Sequence, residues 1–328
     1  MLSPSLGPLC AFLSSVTWSI GTVGYSRLSR QYNGFAVNFA RALAALPLFA
    51  LLALAQAGGI SESLQAFGQL GLRHLGWFSL SMLASYGVGD LLFFASTRSL
   101  GVSGALAIAS SYPIFTVLAG VALNGDAVSS RQFAGLGLSV TGVVLVILSG
   151  RTALIAVEIQ AGGTPGGAPA AAEVGTPASP LPHRLERLQT GVLLAFGTAV
   201  CWGINGYSVS RGGVGLSIPV GNTLRMSLAL AIIATLARVT APKSDLLLPW
   251  AEFKRWGWLF ALEGFGGSLF FLYGLSRSPL VIGTTLSSLA PAISMPVAVA
   301  LGSERFSWTR ALGVFGVILG VWLLVRRG

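Results

Sequence analysis

The chain has 328 residues, of which 53% are hydrophobic and only 9% carry a formal charge. Soluble domains have about 25% charged residues, so a chain this apolar does not fit a water-soluble enzyme, and it does not fit a disordered chain either. The net charge of +10 does not indicate nucleic-acid binding, because most Lys and Arg residues stand singly between apolar runs, as they do beside membrane spans. The composition therefore predicts a protein that lies largely in lipid.

Ten apolar segments follow one another along the chain. Each is close to the 20 or so residues that a helix needs to cross a hydrocarbon core about 30 Å thick. They occupy residues 6–25, 35–56, 76–96, 102–123, 132–150, 190–210, 216–237, 256–275, 280–301 and 311–325. We number them spans 1 to 10 and expect each to be a transmembrane helix. Span 1 has no Lys or Arg before it, so we expect it to be retained rather than removed as a signal peptide.

The segment 151–189, between spans 5 and 6, differs in composition from the rest of the chain. Its central part, 160–182, has 16 Gly, Ala or Pro residues among 23 and no aromatic residue. Such a composition cannot bury a core and is typical of a flexible linker. The sequence therefore predicts a first repeat over 1–150, a linker over 151–189 and a second repeat over 190–328.

The two halves carry similar residues in the same order. The matching pairs are Trp18 and Trp202, Asn38 and Asn222, Arg41 and Arg225, Pro113 and Pro291, and Gly142 and Gly320. Since each half has five spans, an odd number, the second half enters the membrane in the opposite orientation. Two such halves are related by a pseudo-two-fold axis in the membrane plane, which is the arrangement that permits alternating access. The repeat thus predicts transport.

These features resemble the EamA-type drug/metabolite transporter superfamily. The resemblance rests on a Trp in the first helix of each half, an Arg early in the second, a Pro in the fourth and a Gly-rich fifth. It implies an all-α fold of ten transmembrane helices in two inverted repeats, with a cavity lined mainly by spans 1, 3, 4, 6, 8 and 9. It also implies export or exchange of a small organic metabolite, similar to an amino acid, a drug or a nucleobase.

Two acidic residues lie inside spans, Asp90 in span 3 and Glu263 in span 8. A carboxylate at the centre of a bilayer costs about 2.5–3.5 kcal/mol, so we expect both to bind substrate or to couple its movement to protons. The alternative is a structural ion pair with Arg41, Arg225 or Arg98.

Arg41 and Arg225 stand a turn or two inside their spans, near enough to the interface to snorkel. We therefore interpret them first as structural anchors, and second as contacts for an anionic group of a substrate. Pro113 and Pro291 interrupt spans 4 and 9, where a proline kinks the helix and frees a carbonyl group.

Several aromatic and polar side chains within the spans are candidates for lining the cavity. Aromatic rings can stack on a cationic or aromatic solute, although at the ends of spans they are more often interfacial anchors. The candidates are Trp18, Trp202, Tyr86, Tyr112, Tyr273 and Asn205.

An intramembrane enzyme is an alternative function. The string Gly101-Val102-Ser103-Gly104 resembles the nucleophile motif of rhomboid proteases, but such a serine needs a base. His74 and His183 are both expected in loops, so no catalytic residue is predicted. A membrane scaffold or receptor is a second alternative, although it would not need an inverted repeat.

No metal site, cofactor or ATP-binding motif is indicated. The expected partners are the lipid bilayer and a small-molecule substrate, with protons as a candidate coupling ion and a homodimer left open. We expect a multi-pass protein of the cell membrane. Its orientation is ambiguous: Lys and Arg are more frequent on the side opposite the termini, which predicts termini outside, whereas the resemblance implies termini in the cytoplasm.

Overall fold

The computed structural model describes residues 6–125, 129–160, 181–300 and 306–325, and within these ranges the protein consists of helices and short connections. In the first half, α1 is Leu6–Gln31, α2 is Gly34–Ala57, α3 is Ile60–Gly68, α4 is Leu72–Met82, α5 is Asp90–Ala109, α6 is Tyr112–Asn124 and α7 is Ser130–Gln160. In the second half, α8 is Leu181–Gly212, α9 is Ile218–Thr240, α10 is Trp250–Leu259, α11 is Ser268–Arg277, α12 is Leu280–Ser287, α13 is Ala290–Ala300 and α14 is Trp308–Val325.

Each half contains one π-helical segment at the same place in its order of helices. The first π segment, Leu83–Gly89, joins α4 to α5, and the second π segment, Phe260–Gly267, joins α10 to α11. A π-helical turn inside a helix is rare and is found mostly at functional sites. Its occurrence in spans 3 and 8 shows that the repeat extends to local backbone geometry.

Six helical stretches in the described ranges are long and apolar enough to cross a membrane. They are Leu6–Gln31, Gly34–Ala57, Leu72–Leu123, His183–Gly212, Ile218–Thr240 and Trp250–Arg277. The third has 52 residues, enough for two crossings, and Gly101 breaks it with a φ of 71° between spans 3 and 4. These six stretches contain seven of the ten predicted spans. Shorter apolar helices, Gly137–Ser149 and Trp308–Leu323, lie in spans 5 and 10.

The helices differ from the predicted ones in three places. The helix α7 continues to Gln160 and α8 begins at Leu181, so both ends of the predicted linker 151–189 are helical, while 161–180 lies outside the described residues. Span 9 is divided into α12 and α13, with Pro291 in the first turn of α13, where its missing N–H breaks no bond. The short helix α3 lies where we expected a loop.

The two halves pack crosswise rather than side by side. The helix α1 packs on α11, α12 and α13 of the second half, and α8 packs on α4, α5 and α6 of the first. Equivalent helices also meet each other, α2 with α9 and α7 with α14. The large core between the halves includes Tyr25, Phe93 and Trp202, while side chains such as Leu51, Leu193 and Phe315 point outward, as lipid-facing side chains do.

The helices α7 and α14 run antiparallel and in close contact. A Cβ atom added at Gly313 would lie 2.8 Å from the Gly142 carbonyl oxygen, and one added at Gly320 would lie 2.6 Å from the Gly135 carbonyl oxygen. Residues further along α14 therefore contact residues earlier on α7, as expected for antiparallel helices. Small residues allow such a close approach of two helices, so these glycines have a packing role.

Candidate functional site

A cavity of about 100 Å³ lies between the two halves. Its walls include residues of spans 1, 3, 4, 6, 8 and 9, as the resemblance implies, and it is also lined by Arg41 of α2 and Arg225 of α9. Pockets for drug-sized ligands have volumes of about 300–1,000 Å³. In this conformation the cavity therefore has room only for a small solute.

Arg41 forms ion pairs with both intramembrane acids. Its Nη1 donates to Asp90 Oδ2 at 2.7 Å. Its Nε donates to Glu263 Oε2 at 3.0 Å and its Nη2 donates to Glu263 Oε1 at 3.1 Å, so the Glu263 carboxylate is held in a fork. Charge-assisted bonds in this geometry are the strong ones. With both acids ionised, this group of three side chains has a net charge of −1.

Aromatic rings enclose the Arg41 guanidinium and fix its partners. The guanidinium carbon lies 4.4 Å from the ring centre of Tyr86, 4.5 Å from that of Tyr25 and 5.2 Å from that of Trp18. Tyr25 Oη donates to Glu263 Oε2 at 2.9 Å. On the other side of the cluster, Trp202 Nε1 donates to the second oxygen of Asp90, Oδ1, at 3.1 Å. Both halves thus supply hydrogen-bond donors to the carboxylates.

Both Asp90 and Glu263 therefore form ion pairs with Arg41 in this structure, which is one of the alternatives that the sequence analysis gave for them. The expectation that Arg41 and Arg225 snorkel to the interface is wrong, because their exposed fractions are 2% and 3%. Both are enclosed by the packed helices of the protein. Arg98 is not paired with either acid among the described residues, and its Nη2 donates instead to the Ser29 carbonyl oxygen.

The two arginines are held in the same way by the asparagine one turn before each. Arg41 Nη1 donates to Asn38 Oδ1 at 2.8 Å, and Arg225 Nη1 donates to Asn222 Oδ1 at 2.9 Å. Each asparagine also binds a backbone carbonyl in or just after a π segment, Asn38 that of Tyr86 and Asn222 that of Ser268. The asparagines therefore connect span 2 to span 3 and span 7 to span 8.

Arg225 differs from Arg41 in having no carboxylate partner. None of the ion pairs among the described residues includes it, and its Nε has no hydrogen-bond partner in that part of the chain. Its guanidinium carbon lies 6.0 Å from the ring centre of Phe271. Among the described residues, one buried guanidinium therefore has two counter-ions and a second one has none.

The structure brings most of the other candidates to the cavity. Trp18, Trp202, Tyr86, Tyr112 and Asn205 all line it. Asn205 Oδ1 accepts a bond from Ser81 Oγ at 2.7 Å, and Tyr112 Oη donates to the Thr284 carbonyl at 3.0 Å.

Tyr273 and Pro113 do not bear on the cavity in the expected way. Tyr273 packs against an apolar cluster that includes Phe78, Val209 and Leu272 and is not among the residues that line the cavity. Pro113 lies in the first turn of α6, and therefore begins a helix rather than bending one.

Several residues of the site were not among the candidates, and Tyr25 and Ser268 are two of them. Tyr25 lies seven positions after Trp18 on the same helix, and this spacing of two turns could have placed it on the same face. Ser268 is the first residue after the second π segment, as Asp90 is after the first. Its distance of 178 positions from Asp90 is the offset of the repeat in its later spans, as between Pro113 and Pro291, so an alignment of the halves could have found it.

The structure gives no support to the serine-protease alternative. His74 and His183 lie on α4 and α8, not in loops as expected. His74 is hydrogen-bonded to the backbone of Gly71 and Val214, and His183 contacts Glu186.

The chain was compared with known proteins. Residues 5–148 and 189–326 each match the sequence profile of the EamA-like transporter family. A transporter of Archaeoglobus fulgidus, itself described as uncharacterized, is 28% identical over 142 residues, which are 43% of this chain and 48% of that protein. The chain thus matches about half the length of this relative. A crystal structure with 18% identity superposes over 98% of this chain and 96% of its own, with a TM-score of 0.62, which indicates a shared fold.

Proposed function

Because the chain belongs to the EamA-like transporter family, we propose that it is a secondary-active transporter that moves a small organic metabolite across the cell membrane by alternating access. The proposal places ten membrane-spanning helices in two inverted repeats, 1–150 and 190–328, joined by the linker 151–189. Export or exchange is the proposed direction, as in similar proteins. The observation that carries the proposal is the cavity between the two halves, with the ion-paired cluster of Arg41, Asp90 and Glu263 in its wall.

The packing of equivalent helices supports the inversion of the repeats. Two elements related by a two-fold axis perpendicular to them run antiparallel, and α7 and α14 do so. The crosswise packing of α1 and α8 has the same reciprocal pattern, since each packs on the third and fourth spans of the other half. Inverted repeats place the substrate site near the bilayer midplane, at the interface between the repeats.

The buried carboxylates support coupling to protons. Asp90 and Glu263 share one guanidinium, so the cluster of three has a carboxylate in excess, and protonation of either acid would make it neutral. A proton that moves down a potential of 100 mV supplies about 2.3 kcal/mol, which sustains a solute gradient of about 40-fold. We propose Glu263 and Asp90 as the coupling groups, with Trp18, Trp202, Asn205, Tyr86 and Tyr112 as solute contacts.

Solute-driven proton movement in liposomes tests this function. The protein is reconstituted with a pH-sensitive dye inside the vesicles, and amino acids, nucleobases and small organic cations are added in turn. We expect at least one solute to change the internal pH, and Glu263→Gln to lower that rate at least tenfold, because the variant cannot exchange a proton. Glu252→Gln, at the start of α10, is the control and should behave as the native protein. Equal rates and equal pH dependence in the native and Glu263→Gln proteins would contradict the coupling role.

A further inference from the structure

Three buried polar groups of the cavity wall, Arg225 Nε, Trp18 Nε1 and Tyr86 Oη, have no hydrogen-bond partner among the described residues. A buried donor without a partner costs about 1–3 kcal/mol, and more when it is charged. Since the Arg225 and Trp18 groups can only donate, the ligand that would satisfy them must present acceptor atoms.

The repeat explains why no described residue is a counter-ion of Arg225. Asp90 is the first residue after the first π segment, and Ser268 is the first residue after the second. Glu263 is the fourth residue of the second π segment and Tyr86 is the fourth of the first, while a separation of 178 pairs Glu263 with Ser85; either counterpart carries a hydroxyl group. The two positions that hold carboxylates around Arg41 therefore hold hydroxyl side chains in the other half. Ser268 and Tyr86 both line the cavity with Arg225.

The orientation of Arg225 identifies which edge of its guanidinium is free for a ligand. Both arginines use Nη1 to bind the asparagine of their own helix. Arg41 then uses the edge formed by Nε and Nη2 to hold the Glu263 carboxylate in a fork. On Arg225 the Nε of that same edge has no partner. The edge that holds a protein carboxylate in the first half thus holds none in the second, as far as the described residues show.

We infer that the transported solute carries a carboxylate, and that this carboxylate binds the free edge of Arg225 in the way that the Glu263 carboxylate binds Arg41. The inference rests on the proposed function and narrows it to a small carboxylate-bearing solute. Such a ligand would supply the missing counter-ion and acceptors for the Arg225 and Trp18 donors. The Ser268 and Tyr86 hydroxyls would lie beside it. Its remaining atoms would face the aromatic side of the cavity.

Binding to the purified protein tests the inference without any transport step. Thermal unfolding in detergent is followed with propionate, L-lactate, pyruvate and benzoate, each beside its primary amide. We expect at least one acid to raise the unfolding temperature while its amide, nearly equal in shape but uncharged, does not. A ligand that binds only the native state stabilises it in this way. If no acid stabilises the protein, or if acids and amides act equally, the inference is overturned.

Variants of Arg225 separate binding from a structural role. Arg225→Gln should unfold at the same temperature as the native protein or higher, because no ion pair is lost. It should bind the stabilising acid at least tenfold more weakly, which is a loss of about 1.4 kcal/mol. Arg225→Lys keeps the charge but not the fork, so its affinity should lie between the two. Arg211→Gln, an exposed arginine at the end of α8, is the matched control and should bind as the native protein does.

The outcomes for binding and for transport are distinguishable. Undiminished acid binding in Arg225→Gln overturns the inference, whatever the flux assay shows. Acid binding that depends on Arg225, in a protein that moves no solute in liposomes, supports the carboxylate site and contradicts the transport function instead.

Discussion

At the scale of single residues, the buried charges of this protein fall into a paired group and an unpaired one. Arg41 is in contact with two carboxylates and three aromatic rings. Arg225 occupies the equivalent position of the second half without either carboxylate. Breaking a buried ion pair by removing one partner is strongly destabilising, because the remaining charge stays buried without compensation. The two arginines should therefore respond differently to the same substitution.

Arg41→Gln is expected to destabilise the protein by about 3–5 kcal/mol, since it leaves two buried carboxylates without their cation. The thermal unfolding temperature in detergent measures this, with Arg225→Gln as the matched comparison at the equivalent position. The double variant Arg41→Gln with Glu263→Gln should recover part of the loss, because it removes one of the orphaned charges. An unchanged unfolding temperature in Arg41→Gln would show that the cluster does not hold the native structure together.

Much of the candidate site could be predicted at this scale because polar side chains are rare in membrane spans. A polar group in a span has to face the protein interior, so the positions of Asp90, Glu263 and Asn205 in apolar runs indicated their place at the cavity. The pairing could not be predicted, since Arg41 lies 49 positions from Asp90 and 222 from Glu263. Only packing in three dimensions decides between the arginines.

At the scale of elements, close packing between α7 and α14 depends on glycines that face the partner helix. A Cβ atom at Gly142 would collide with the backbone of Gly313, Gly316 and Val317, whereas one at Gly137 would meet nothing within 4 Å. Both glycines are on α7, so one helix offers a test position and a control position.

Gly142→Leu is expected to separate α7 from α14 and to reduce the amount of folded protein in the membrane, because the side chain needs space that backbone atoms occupy. Gly137→Leu should leave it unchanged. Fluorescence-detected size-exclusion chromatography of both variants measures the folded fraction. A monodisperse Gly142→Leu peak of native height would mean that the two helices can move apart without harm.

The positions of the helices could be predicted from the sequence where apolar residues determine them. The gap between spans 3 and 4 was expected at 97–101, and Gly101 makes the break there with its positive φ. The helical ends of α7 and α8 were not expected, because apolarity marks where lipid ends and not where a helix ends. Leu, Ala, Glu and Arg in 151–160 and 181–189 are good helix formers outside lipid as well. The π segments have no sequence pattern that apolar periodicity detects.

At the scale of the whole molecule, ten spans would place both termini on the same side of the membrane. Reporter fusions at the two ends test this, using a pair of enzymes of which one is active only in the cytoplasm and the other only outside it. We expect the cytoplasmic reporter to be active at both Met1 and Gly328. Opposite sides for the two ends would exclude an even number of crossings, and two external ends would support the orientation that the charge distribution predicts.

The contact between α7 and α14 is also where a residue meets its own counterpart. Ser139 Oγ donates to the Val317 carbonyl oxygen at 3.4 Å, and these residues are 178 positions apart, which is the offset of the repeat. If the halves are inverted as proposed, the pseudo-symmetry axis passes close to this bond. If the two halves exchanged conformations, the atoms of this hydrogen bond would move little. The residues that line the cavity would move further. The close glycine contact between α7 and α14 would then be the pivot of the movement, and its tight packing would limit how far the protein can open.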